Sequence, residues 1–219
     1  MRSAGDMQFT ITTPDDWHLH LRDGSAMADV VGHSARAFAR AVIMPNLVPP
    51  ITTVDQAGAY CERIVRALPE GLDFKPLMTL YLTDLTSPGE IERAAASGEV
   101  VAVKLYPAGA TTNSEAGVTD LGLVDPVFET MVRCGLPLLV HGEVTDPAVD
   151  IFDREKVFIE RVLAPLVDRW PELKVVFEHI TTAEAVEWVL HAPPTVAATI
   201  TPHHLVFDRN AIFSGAPCR

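Results

Sequence analysis

The chain has 219 residues, 48% of them hydrophobic and 21% charged, and a net charge of -12. That balance fits a soluble globular protein with one sizeable core and argues against disorder, while an acidic chain with no run of Lys and Arg argues against a nucleic-acid or anionic-membrane partner. Its three cysteines, Cys61, Cys134 and Cys218, are odd in number and form no Cys-x-x-Cys; with no apolar signal-peptide core over Met1 to Thr13 and no later run long enough for a membrane helix, a cytoplasmic location is expected.

The chain opens on alternating Phe9 and Ile11, read as the end of a strand that leads into Asp15-Asp16-Trp17-His18-Leu19-His20-Leu21-Arg22-Asp23. Side chains two apart on a strand share a face, so His18 and His20 can reach one point, and converging imidazoles suit zinc and other borderline cations. The bland alternative is a histidine pair capping a turn. A helix is expected over Ala26 to Ala39, then a buried strand from Arg40 that ends at Pro45 and Asn46. Helical spacing over Val54 to Leu68, N-capped by Thr52 or Thr53, precedes a strand over Lys75 to Leu82. A short helix from Pro88 to Ala96 stops at Ser97-Gly98, and Val100 to Tyr106 is the fourth strand.

Pro107 to Val118 is small, polar and without periodicity, and reads as a mobile surface loop. Helices over Pro126 to Cys134 and Arg154 to Arg169 precede strands from Leu136 to His141 and from Leu173 to His179. A last helix, Ala183 to Leu190, feeds a seventh strand from Val196 to His204. Strands alternating with helices require a parallel sheet. No Gly-x-Gly-x-x-Gly follows the first strand, which disfavours an open dinucleotide-binding sheet. His20, Asn46, Lys104, His141 and His179 close different strands, and in a (β/α)8 barrel such ends converge on one axis.

Each histidine taken alone could simply bond a neighbouring carbonyl. Lys104 is harder to place, because an ammonium closing an apolar strand is costly to bury unpaired. It either forms an ion pair with Glu143 or Glu178, or is neutralised by its surroundings and takes up carbon dioxide as a carbamate that bridges two metals. His33 and His191 read as surface residues.

Carried on His18-Leu19-His20, Lys104, His141 and His179, the sequence resembles the amidohydrolase superfamily. Within it, Met-Pro-Asn-Leu, Lys-Leu-Tyr-Pro-Ala-Gly-Ala-Thr-Thr-Asn-Ser, Val-His-Gly-Glu and Phe-Glu-His-Ile-Thr-Thr resemble the bacterial-type dihydroorotases along essentially the whole chain. The resemblance implies a TIM barrel of the metal-dependent hydrolase type and a single partial domain over residues 1–219. It implies two zinc ions bridged by N6-carboxylated Lys104, with His18 and His20 on the first and His141 and His179 on the second. His20, Arg22, Asn46, Thr111, Thr112 and His141 would meet a small-molecule substrate, Arg22 and Asn46 taking its carboxylate. The implied reaction is the reversible cyclisation of N-carbamoyl-L-aspartate to L-dihydroorotate in pyrimidine synthesis, by a homodimer.

One departure concerns the end of the sequence. The family's eighth strand supplies a catalytic aspartate, and no further strand–helix unit fits after His204. The barrel is therefore expected to lack that strand, no catalytic proton-transfer residue is assigned within the chain, and the 219 residues alone are expected to be inactive. The rivals are another cyclic amidase, hydantoinase-like or allantoinase-like, and a non-catalytic relative kept for assembly; Arg22 with Asn46 argues against the first, while intact ligands weaken the second and the absent aspartate revives it.

Overall fold

The computed structural model describes residues 10–214. Seven strands run β1 (Asp15–Leu19), β2 (Arg40–Ile43), β3 (Lys75–Tyr81), β4 (Val100–Leu105), β5 (Leu138–His141), β6 (Val175–Glu178) and β7 (Val196–Ala198). They lie side by side in sequence order, and every pair is parallel. The main crossover helices are α1 (Gly24–Ala37), α2 (Val54–Ala67), α3 (Pro88–Ser97) and α4 (Asp125–Cys134). Then come α5 (Arg154–Phe158), α6 (Ala164–Arg169), α7 (Ala183–His191) and the single turn α8 (Pro202–Val206).

Local chemistry sets the helix ends. Thr53 closes a capping box with Gln56 at the start of α2, and Ser87 with Pro88 starts α3. Gly98 and Gly135 stop α3 and α4 with φ of 70° each, a left-handed conformation that is cheap only without a Cβ. Between α5 and α6 the chain makes a π-helical turn over Ile159–Leu163. The sequence predicts one unbroken helix there; Pro165 cannot donate to the preceding turn, and the wider turn accommodates the missing bond.

The sheet is strongly curled. In a flat sheet β1 and β6 would be five strand spacings, roughly 24 Å, apart. Instead His18 of β1 and Glu178 of β6 are in hydrogen-bond contact at 2.9 Å. The curl creates two apolar layers: a large one between sheet and helices, including Ile43, Leu80, Val103, Val140 and Phe177, and a small one inside the arc, formed by Val42, Met44, Ala102 and Leu139. Alternation along each strand assigns its residues to one layer or the other, which is the arrangement of a (β/α) barrel. Among the described residues β1 and β7 do not pair with each other, and they are also the two strands without a fully buried residue. No helix among those residues is long and apolar enough to cross a membrane.

Several predicted boundaries change. Ile11 precedes β1 and is exposed, whereas Phe9 and Cys218 lie outside the described residues. Strand β5 begins at Leu138 because Pro137 has no N–H to give to a ladder. Strand β7 ends at Ala198, since Pro202 opens a helix; His203 and His204 are therefore helical. The Pro107–Val118 loop is more tightly held than its composition suggests. Ser114 is fully buried and bonds Thr111 at both N–H and carbonyl, and Gly117 packs so closely on the Tyr106 carbonyl that an added Cβ would sit 2.3 Å from it.

A candidate metal centre at the strand ends

The inward-facing residues at the C-terminal strand ends supply the site. Strand alternation turns Ala102, Lys104 and Tyr106 the same way, and brings His18 in from β1 and His141 from the tip of β5. Asn46 is buried just beyond β2. His20 follows β1, and its Nε2 faces the Nε2 of His18 at 3.0 Å.

Glu178 and His179 present a conflict, because consecutive strand residues cannot both point inward. It is resolved by ending the strand: Glu178 is the last residue of β6, and His179 adopts φ of 46°, outside β6. His179 thereby brings its Nε2 to 3.3 Å from Nδ1 of His141, with their rings 4.8 Å apart, and its ring 5.0 Å from that of His18. Close approach is also built in at Gly142, where a Cβ would fall 1.9 Å from the buried Phe177 ring.

His18, His20, Arg22, Asn46, Thr111, Thr112, His141 and His179 all line one cavity of about 640 Å3. Lys104 lies completely buried in β4. A second cavity of about 660 Å3 between α4 and α6 contains none of these residues. His33 and His191 are exposed, as expected.

Lys104 forms its ion pair with Glu178, not with Glu143, and its ammonium also lies 5.0 Å from the Tyr106 ring centre. Burial pushes the lysine below its ordinary range, with the Glu178 carboxylate opposing. Burial, then the neighbouring His18, Arg22 and Lys104 charges, lower His20 to about 4. His179 is displaced downward mainly by burial and Lys104. Both rings are thus neutral near pH 7, the form in which imidazole offers a lone pair to a metal.

Glu178 and Glu143, which the sequence offers only as ion-pair partners for Lys104, make further contacts at the site, and Tyr106 joins them without having been singled out. Glu178 accepts from His18 Nδ1 as well as from Lys104. Glu143 contacts His141 Nε2 at 3.4 Å and Arg154 at 3.3 Å, and its hydrogen bond from His141 helps hold its carboxyl below the usual range. The Tyr106 hydroxyl and Arg22 Nη1 are buried and have no hydrogen-bond partner among the described residues. The signal for Tyr106 and Glu178 was strand alternation: Tyr106 is two residues from Lys104, and Glu178 two from the inward Val176. Asn46 is more occupied than expected, since its amide donates to the Thr112 carbonyl at 3.0 Å while Asn113 donates to the Asn46 carbonyl at 3.0 Å.

The donor set suits a metal. Atoms of His18, Glu178 and His179 that could ligate a metal lie within 4.8 Å of one another, although both Glu178 oxygens are already engaged by His18 and Lys104. Two pairs of ring nitrogens face each other at hydrogen-bond distance, His18 with His20 and His141 with His179. A ring-to-ring hydrogen bond uses one lone pair of each facing pair, whereas a cation takes both.

Comparison with known proteins identifies the family and the fold. Residues 12–213 match the model of the amidohydrolase family. A dihydroorotase of Cupriavidus taiwanensis is 67% identical over 208 residues, covering 95% of this chain and 60% of the relative. The crystal structure of dihydroorotase from Campylobacter jejuni superposes with a TM-score of 0.86 at 37% identity, over 96% of this chain and 62% of that one. That of dihydroorotase with 5-fluoroorotic acid from Saccharomyces cerevisiae gives 0.82 at 34% identity, over 93% and 59%. This chain spans about 60% of the length of the curated relatives it matches. With seven parallel strands of a curled barrel, four histidines and a buried lysine at their ends, and a family match over nearly all the described residues, the chain belongs to the amidohydrolase family.

Proposed function

We propose that this chain carries the metal-binding and carboxylate-binding part of a dihydroorotase, which interconverts N-carbamoyl-L-aspartate and L-dihydroorotate in pyrimidine synthesis. The observation that carries the reading is Arg22 Nη1, buried and, among the described residues, unpartnered, in the cavity that His18, His20, His141 and His179 also line. A guanidinium fork left free there suits a planar carboxylate, which dihydroorotate has and simple cyclic amides lack. The names of the relatives support it, and the yeast enzyme was solved with an orotic acid derivative.

In this reading residues 1–219 are one partial barrel domain of a cytoplasmic, homodimeric enzyme acting on a small molecule, with no nucleic-acid or membrane partner. The family is metal-dependent; His18 and His20 would hold one zinc ion, His141 and His179 a second, and carboxylated Lys104 would lie between them. Bound divalent metal supplies Lewis acidity toward an amide carbonyl and a nucleophile active at neutral pH. The protein's own part is orientation: Arg22 fixes the substrate carboxylate, with Asn46 beside it, and His20 and His141 flank the reacting amide. Thr111 and Thr112 line the same cavity from the Pro107–Val118 loop, where they would meet the substrate.

The test is turnover by the protein carried to its relatives' length, with dihydroorotate beside dihydrouracil, the same ring without the carboxylate. Dihydroorotate should be favoured on the order of 100-fold or more in kcat/KM, because the analogue leaves the buried Nη1 of Arg22 unpaired. Equal rates on the two rings would remove the substrate assignment and favour a general cyclic amidase.

A further inference from the structure

Glu178 is almost completely buried, yet both of its oxygens are engaged by groups from two other strands. Oε1 is 2.9 Å from Nδ1 of His18 on β1, and Oε2 contacts Nζ of Lys104 on β4. A carboxylate with both oxygens occupied by side chains is placed to position its neighbours. We propose that Glu178 is a positioning residue that ties His18 and Lys104 to one rigid anchor. It holds His18 in the Nδ1–H tautomer with Nε2 bare toward His20, and it holds the Lys104 nitrogen in place both as the free side chain and after carboxylation.

The chemistry permits the second contact to survive modification. Lys104 reacts as the neutral amine: its lone pair forms the N–C bond to carbon dioxide, one C=O π pair becomes a carboxylate oxygen, and one N–H proton leaves to water. A single N–H remains on the carbamate nitrogen, still able to donate to Oε2. The first contact follows the common pattern in which a ligating histidine donates its other ring N–H to a carboxylate that fixes its tautomer. One residue would then preorganise a ligand of the first metal and the bridge between the two, so histidine geometry and lysine modification are coupled. The carboxylation step rests on the proposed function; the tautomer does not.

Two readouts on the relatives'-length protein test this. Long-range proton–nitrogen NMR of the unmutated protein should place the His18 proton on Nδ1. Isotope-labelled bicarbonate should give a lysine carbamate signal that Glu178→Gln abolishes, with zinc affinity, measured by chelator competition, falling about 10- to 100-fold. Glutamine conserves shape, but its amide NH2 must face either the His18 N–H or the Lys104 nitrogen, so a residue that only fills space would be rescued by it. A proton on Nε2 of His18, or a Glu178→Gln protein that keeps its carbamate and its zinc affinity, would overturn the proposal. The tautomer is read without any mutation, so it decides the matter if the variant does not fold. Dihydroorotate turnover combined with an Nε2 proton would sink this role alone. An Nδ1 proton with Glu178-dependent zinc affinity in a protein that ignores dihydroorotate would sink the proposed function alone.

Discussion

Replacing Lys104 with alanine is expected to abolish two-metal binding and to destabilise the metal-free fold together. The side chain is wholly buried, and its only ion-pair partner among the described residues is Glu178. Removing it leaves a buried carboxylate bonded only to His18, and breaking a buried pair from one side costs about 3–5 kcal/mol. A methyl group also offers neither an amine to carboxylate nor a ligand atom, so the four imidazoles lose what would lie between their two pairs. Denaturant unfolding of the metal-free protein and zinc analysis after dialysis check both effects. Retention of two zinc ions by the variant would remove the bridging role, and unchanged stability would show that the ion pair contributes little.

Arg22→Ala should separate substrate binding from metal binding. Arg22 has φ of 61°, and the hydroxyl of buried Tyr60 donates to its carbonyl at 2.6 Å. This backbone anchor survives truncation of the side chain. The lost group is the guanidinium whose Nη1 has no partner among the described residues. Losing a charged hydrogen bond to a carboxylate costs on the order of 2–5 kcal/mol, or roughly 30-fold and upward in kcat/KM on dihydroorotate. Zinc content should stay at the parent level. Unchanged kcat/KM, or loss of zinc, would assign Arg22 a different part.

Much of this site was legible because parallel strands buried on both faces obey a strict two-residue alternation. The inward position of Lys104 and the shared reach of His18 and His20 followed from it. The break in alternation was not legible: nothing in the order of residues says that Glu178 and His179 both face the centre, which requires the left-handed backbone at His179. The same limit applied at the seventh strand, where an apolar run read as strand through His204 gives way to a helix at Pro202. The contacts that hold the loop were illegible for a different reason. Its small polar residues look solvated, but Ser114 bonds within its own turn, and Asn46 with Thr112 and Asn113 stitches the loop to the end of β2, a contact between distant segments that no local pattern encodes.

The central claim is that His18, His20, Lys104, His141 and His179 form one metal centre. Anomalous diffraction at the zinc absorption edge, from crystals of the relatives'-length protein, tests it most directly. The expected result is two peaks, one between His18 and His20 and one beside His141 and His179, with density extending from the Lys104 nitrogen between them. No peak at these strand ends in zinc-loaded crystals, or a metal held elsewhere while Lys104 remains paired with Glu178 as a plain ammonium, would contradict it.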